Sequence, residues 1–278
     1  MGCAFGCGAL LLIVVAVGGV GAFLVGRSVK GVVSAFETQE QLVDRFGAPT
    51  DYVPPADGAI PADRMEIFLV VREALRPTRT ELETRFDAFS GGDLTETEGG
   101  FMAVLGMLRG LGSLLDPIGE YIADRNRLLL EREMGSGEYV YIYSTSYYSW
   151  LGHSPEEGPT IKTAAAAGQP VFSAGKSTFG ADQLRERYRR YAREMLKSQL
   201  EAVRKNADSD PGWIDTLKNE IGRFRADPSH VVWLDGVPSA IEASLATYRP
   251  RLEATYSDAV NCLELPTEQG QQFSITID

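Results

Sequence analysis

Two imidazoles, His153 and His230, and one thiol beyond the first thirty residues, Cys262, are the scarcest chemistry-bearing side chains in the chain. Beside a serine or an aspartate, either histidine could serve as a general base. His153 follows the end of an aromatic run, and His230 follows the turn residues Asp227-Pro228-Ser229. Neither lies in a G-x-S-x-G elbow, which exposes a serine to a base, nor in H-E-x-x-H, which puts two ligands on one helix face. Each therefore reads as a surface or capping histidine. Two imidazoles also exclude most metal sites built from histidine. The carboxylate pairs Glu156-Glu157, Asp208/Asp210 and Asp93/Glu96 fall in loop-like segments without the spacing of a calcium loop. No metal or cofactor is expected.

Gly175-Lys176-Ser177 resembles the end of a phosphate-binding loop, and Val231–Asp235 reads as an apolar strand ending in a carboxylate. The spacing fails. A backbone cradle needs glycine at 170, where the chain has Pro170, and Gly168 comes two residues early. Nucleotide binding is not expected.

The run EYVYIYSTSYYSW (138–150) holds five of the eleven tyrosines. As a helix it brings Tyr139, Tyr143, Tyr147 and Trp150 to one face, and as a strand Tyr139, Tyr141 and Tyr143. Leu151-Gly152 looks like a helix C-terminus, which favours the helix. Tyrosine buries a large ring yet keeps a hydroxyl that needs a partner, so the run suits a core, a partner interface or a ligand pocket. A second candidate surface is the stretch 181–206, with Leu184, Tyr188, Tyr191, Met195 and Gln199 at helical spacing. Its eight basic side chains outnumber four acidic ones, and Arg185, Arg189, Arg190 and Arg193 form a candidate basic face for anionic lipid or an acidic partner. Pairs such as Glu186–Arg190 at i,i+4 are the plainer alternative.

The elements that position these residues follow an apolar segment. Residues 8–26 (GALLLIVVAVGGVGAFLVG) carry no charge, and nineteen helical residues span about 28 Å, close to a bilayer's hydrocarbon thickness. No Lys or Arg precedes them, as a cleaved signal peptide would want. An uncleaved single-pass anchor in a bacterial inner membrane is expected, with the remainder in the cytoplasm because Arg27 and Lys30 follow the span. Gly18, Ala22 and Gly26 recur every four residues, a small-residue face on which another membrane helix could pack.

Residues 27–60 read as a juxtamembrane helix and a Pro-rich loop, 61–258 as a helical domain and 259–278 as an extended tail. Pro61 opens a helix with Met65, Phe68, Leu69, Arg72 and Leu75 on one face, and Pro77 interrupts it. Further helices are expected over 100–134, 181–206 and from Pro211, the last lined by Trp213, Leu217, Ile221 and Phe224. Ile241, Leu245, Tyr248, Leu252 and Tyr256 form another stripe, broken near Pro250. Residues 153–178 read as a connection, and only Val231–Leu234 and the end of the chain look like strands. The fold class is mostly α, a transmembrane helix followed by a multi-helix domain with few or no strands. A formal charge of −11 makes the chain a poor general binder of nucleic acid.

DYVPPADGAIPADRMEIFLVVREAL and GEYVYIYSTSYYSWLG resemble segments of single-pass bacterial membrane proteins with a helical soluble domain. The resemblance covers these two segments and implies no activity. The leading expectation is a non-catalytic accessory subunit that docks, through its membrane helix and helical domain, into a larger respiratory or photosynthetic complex. The alternative is a tethered enzyme or small-molecule-binding domain whose pocket is the tyrosine-rich tract.

Overall fold

The computed structural model describes residues 30–91, 101–158, 160–164, 169–173, 178–206 and 211–265. The expected span, with Gly18, Ala22 and Gly26, lies outside them, as does the strand expected at the end of the chain. No helix among the described residues is long and apolar enough to cross a membrane.

The described chain is mostly helical. Its elements are α1 (Lys30–Phe46), α2 (Ala62–Ala74), α3 (Arg76–Gly91), α4 (Phe101–Glu131) and α5 (Ser136–Tyr143), which runs on as a π-helix over Ser144–Trp150. After the strands β1 (Thr160–Ala164) and β2 (Gln169–Ser173) come α6 (Thr178–Lys205), α7 (Pro211–Ala226), α8 (Ser239–Leu245), α9 (Arg249–Thr255) and α10 (Asn261–Glu264). The proline signals are realised within a residue or two. Pro61 is the N-cap of α2, the α2–α3 break falls just ahead of Pro77, and Pro250 stands in the first turn of α9.

Residues 153–178, expected as a connection, contain a hairpin. β1 and β2 pair antiparallel, with Thr160 opposite Ser173 and Ala164 opposite Gln169. Two strands alone are marginal in water, and this pair rests against α6 and α3. Pro170 is compatible with β2 because a two-stranded sheet leaves each strand an open edge. Val231–Leu234, expected as a strand, is instead a run of turns.

Helix α5 is the axis of the core. Every residue from Ser136 to Tyr148 except Glu138 is buried, so the helix has no solvent face. Around it pack Met65, Phe68 and Leu69 of α2, Tyr121 and Leu129 of α4, and Tyr188 and Tyr191 of α6. Gly137 is required by this packing, because a Cβ there would collide with the Pro49 carbonyl and the Tyr52 side chain.

Helix α1, which the sequence expects beside a membrane, belongs to this body. Ala35 and Leu42 of α1 are buried, and Gly31 brings α1 so close to α4 that a Cβ would stand 2.9 Å from the Asp116 carbonyl oxygen. Further along, Asn126 donates to Thr38 Oγ1 at 3.4 Å and Arg45 to the Leu130 carbonyl at 3.2 Å. Numbers rise together on both helices, so α1 and α4 are parallel. Helix α4 begins fifteen residues before Asp116, so about 22 Å of it extends past the level of Gly31, at the end from which residues 1–29 leave. Residues 259–265, expected within an extended tail, lie against the core, with Asn261 and Glu264 fully buried.

Candidate functional site

The tyrosine-rich tract folds as the helix that its C-terminal signal favours. Gly152 takes a left-handed φ of +78°, and the His153 amide closes on the Tyr147 carbonyl at 2.9 Å. The π-turn widens the last part of the helix, so Tyr147 and Tyr148 both reach buried partners. Tyr139, Tyr143 and Tyr147 are at most 1% exposed. They form core, not an outward interface or a pocket wall, and only Trp150 at the end of the run is half-buried, beneath the Arg249 guanidinium.

The Tyr139 hydroxyl belongs to a buried polar network centred on Arg72 and Glu264, both fully enclosed and directly paired, and the Tyr147 hydroxyl pairs with Thr255 at 2.9 Å beside it. Arg72 also donates to the Thr255 carbonyl at 2.7 Å and to the Tyr121 and Tyr139 hydroxyls at 3.3 and 3.2 Å. Its guanidinium lies 5.2 and 5.6 Å from the Tyr143 and Tyr147 ring centres. Glu264 accepts from Tyr121 at 2.5 Å, Tyr139 at 3.0 Å and Arg125 at 3.3 Å. Burial by itself would raise the Glu264 carboxyl, but Arg72, Arg125 and the two hydroxyls hold it below the usual carboxylate range. A second knot forms on Asn261, whose Oδ1 accepts from Tyr143 and Tyr148 at 3.0 and 2.7 Å while its amide donates to the Ser154, Pro155 and Glu157 carbonyls.

His153 lies at the edge of this core, stacked on Tyr256 with ring centres 3.6 Å apart. Its Nδ1 is 3.0 Å from Glu157 Oε2, the same oxygen that accepts from the Tyr256 hydroxyl at 2.7 Å. Burial and the Glu157 carboxylate push the Tyr256 phenol up, so it stays protonated and weakly nucleophilic. Burial likewise pushes the Cys262 thiol up to about 11, which keeps it out of the reactive thiolate form.

The basic stretch does not present four arginines as one face. Arg189 is buried, lies over the Phe224 ring and donates to the Phe224 and Asp227 carbonyls at 2.6 and 2.8 Å, closing the C-terminus of α7. Arg185 pairs with Glu156, Arg193 is half-buried, and of the four only Arg190 is exposed.

The open concavity lies elsewhere. A cleft of about 760 Å³ is lined by Asp57, Trp213, Glu220, Arg223, Trp233 and Asp235 among others. Trp213 comes from α7 and Trp233 from the turn that follows it, and their rings stack 5.7 Å apart at 27°. Trp233 has φ +60°, rare for so bulky a residue and a strain of roughly 1–3 kcal/mol that the surroundings must hold. Two contacts hold it. Glu220, buried on α7, accepts from the Trp233 amide at 2.7 Å through Oε1, and Tyr188 accepts from the Val232 amide at 2.9 Å.

His230 Nε2 stands 2.7 Å from the same Glu220 oxygen. His230 is therefore a buried partner, not the surface or capping histidine that the sequence suggests. Gly58, at φ +73°, admits the Trp213 ring, since a Cβ there would stand 3.2 Å from its Cζ2. The Trp213 Nε1 is buried without an acceptor, and Arg223 donates to Asp235 at 2.8 Å across the rim.

Sequence reasoning places Trp213 on the apolar stripe of α7 but assigns no site to it. The available signal was Glu220, three residues after Leu217 and so on the buried side of the same helix. The loop-like lysine segment 174–177 lies outside the described residues, and Val231–Asp235 is a turn, so the phosphate-binding pattern gains no scaffold. No group of three or more His, Cys, Asp or Glu that could hold a metal occurs among the described residues. Set against models of protein families, curated proteins and solved structures, the chain has no match.

Proposed function

We propose that the protein is a non-catalytic, membrane-anchored accessory subunit that docks into a larger bacterial membrane complex and braces it from one side. The observation that carries this reading is the way α1 is built in. The helix that follows the apolar segment is buried along α4 through Gly31, Ala35 and Leu42, so a membrane helix continuing into α1 would fix the domain at a set distance and orientation. A catalytic domain on a tether has no need of that rigidity. The parallel α4 supports the same reading. Its first fifteen residues include one charge, Arg109, and extend past α1 at the end where the expected span leaves the fold. The enclosed tyrosine network adds a stiff interior whose phenol hydroxyls are engaged within the fold.

Gentle detergent extraction from native membranes, followed by native-size analysis and identification of co-migrating chains, tests the proposal. Stoichiometric membrane partners are the expected result. A lone 30.3 kDa species or a partnerless homo-oligomer overturns it.

A further inference from the structure

We infer that the Trp213–Trp233 cleft is a binding site for a small, soluble organic cation of the quaternary or primary ammonium class. The inference is independent of the membrane reading. The cleft's volume, about 760 Å³, suits a small molecule. Its aromatic wall is the half-buried Trp213 indole, backed by the buried Trp233 ring stacked on it, and tryptophan has the best ring face for an ammonium. Its ionisable lining is Asp57, Glu220 and Asp235 against the single guanidinium of Arg223, and that guanidinium is already spent on Asp235. An anion entering here would meet a surplus of carboxylates, whereas a cation gains both from them and from the ring quadrupole. The chain's overall charge of −11 favours the same sign of ligand.

The wall is prearranged. Glu220 holds the Trp233 amide, Tyr188 holds its neighbour, and Gly58 leaves room for Trp213, so the indoles need no reorganisation on binding. Glu220 is committed to this support through the Trp233 amide and His230. Asp57, exposed, is left to face a ligand's charge, and Asp235 shares its own with Arg223.

The test is a titration of the detergent-solubilised full chain with tetramethylammonium and choline chlorides, read by tryptophan fluorescence. Sodium chloride at equal ionic strength is the blank, and 3,3-dimethylbutan-1-ol is the uncharged counterpart of choline. A saturable change with both cations is expected, with the alcohol binding about 2- to 30-fold more weakly, the range a cation–π contact supplies. Trp213→Leu should abolish the response, Trp213→Phe should retain part of it, and Asp57→Asn should weaken it.

No saturable response to the cations overturns the inference, as does equal binding of the alcohol, or an unchanged response in Trp213→Leu. If Trp213→Leu fails to fold, the comparison between choline and its uncharged counterpart on the native chain, with Asp57→Asn, still decides.

Discussion

Arg72 and Glu264 lie 192 residues apart in sequence and meet with no exposure to water. Removing Glu264 leaves Arg72 as an uncompensated buried charge, and removing Arg72 leaves Glu264 with Arg125 alone; breaking a buried pair in this way costs about 3–5 kcal/mol. Arg72→Met and Glu264→Gln should each lower stability by amounts in that range in urea unfolding. The double variant Arg72→Met/Glu264→Gln should lose less than the sum of the two, because the interaction between the pair is then lost only once. The pair also sets an acid limb. The folded Glu264 carboxyl titrates below its unfolded value of about 4.3, so its contribution is fully present above that pH and is lost as pH falls through the folded value. Acid unfolding followed by circular dichroism should show a shallower dependence below about pH 4 in Glu264→Gln than in the native chain.

At the scale of elements, α5 carries the counterpart at high pH. Burial raises the phenols of Tyr139, Tyr141, Tyr143, Tyr147 and Tyr148 above their ordinary value. Protons held more tightly in the fold than in the unfolded chain contribute stability that is whole below about pH 10 and falls as pH rises beyond it. Absorbance of tyrosinate at alkaline pH should therefore appear together with loss of helical circular dichroism. Gradual ionisation of these five phenols within an intact fold would show that the helix is not sealed. The same enclosure makes Gly137→Ala an overpacking change against Pro49 and Tyr52, with an expected loss of about 1–3 kcal/mol in thermal or urea unfolding.

At the scale of the whole molecule, the α1–α4 seam joins the domain to whatever precedes Lys30. If rigidity at that joint is what the proposed subunit supplies, a Gly-Ser-Gly-Ser insertion between Gly26 and Arg27 should leave the domain's melting temperature unchanged. It should release the chain from its partners in native-size analysis. Retention of the complex after the insertion would show that docking needs only a tether, and would turn attention to the cleft between Asp57 and Asp235.

Periodicity and proline positions, which depend on local backbone sterics, made the helices legible: α2, α4, α6 and α7 lie where their apolar stripes put them, and the α2–α3 and α8–α9 breaks accompany Pro77 and Pro250. The β1–β2 hairpin was hidden because its short alternating runs adjoin an alanine run and include Pro170.

What local sequence does not encode is the destination of a charge. Arg72 and Glu220 lie on the apolar sides of their helices, Arg189 in a stretch that reads as a basic face and Glu264 in an expected tail, and only tertiary contacts give each its partner far along the chain or in the following turn. The same holds for the aromatics. Five tyrosines between positions 139 and 148 announce a large apolar surface, but whether it faces inward depends on what surrounds it, and here α2, α4 and α6 enclose it. The cleft was invisible for the complementary reason. Trp213 and Trp233 are separated by a whole helix, and a left-handed residue held by Glu220 is what turns one ring onto the other.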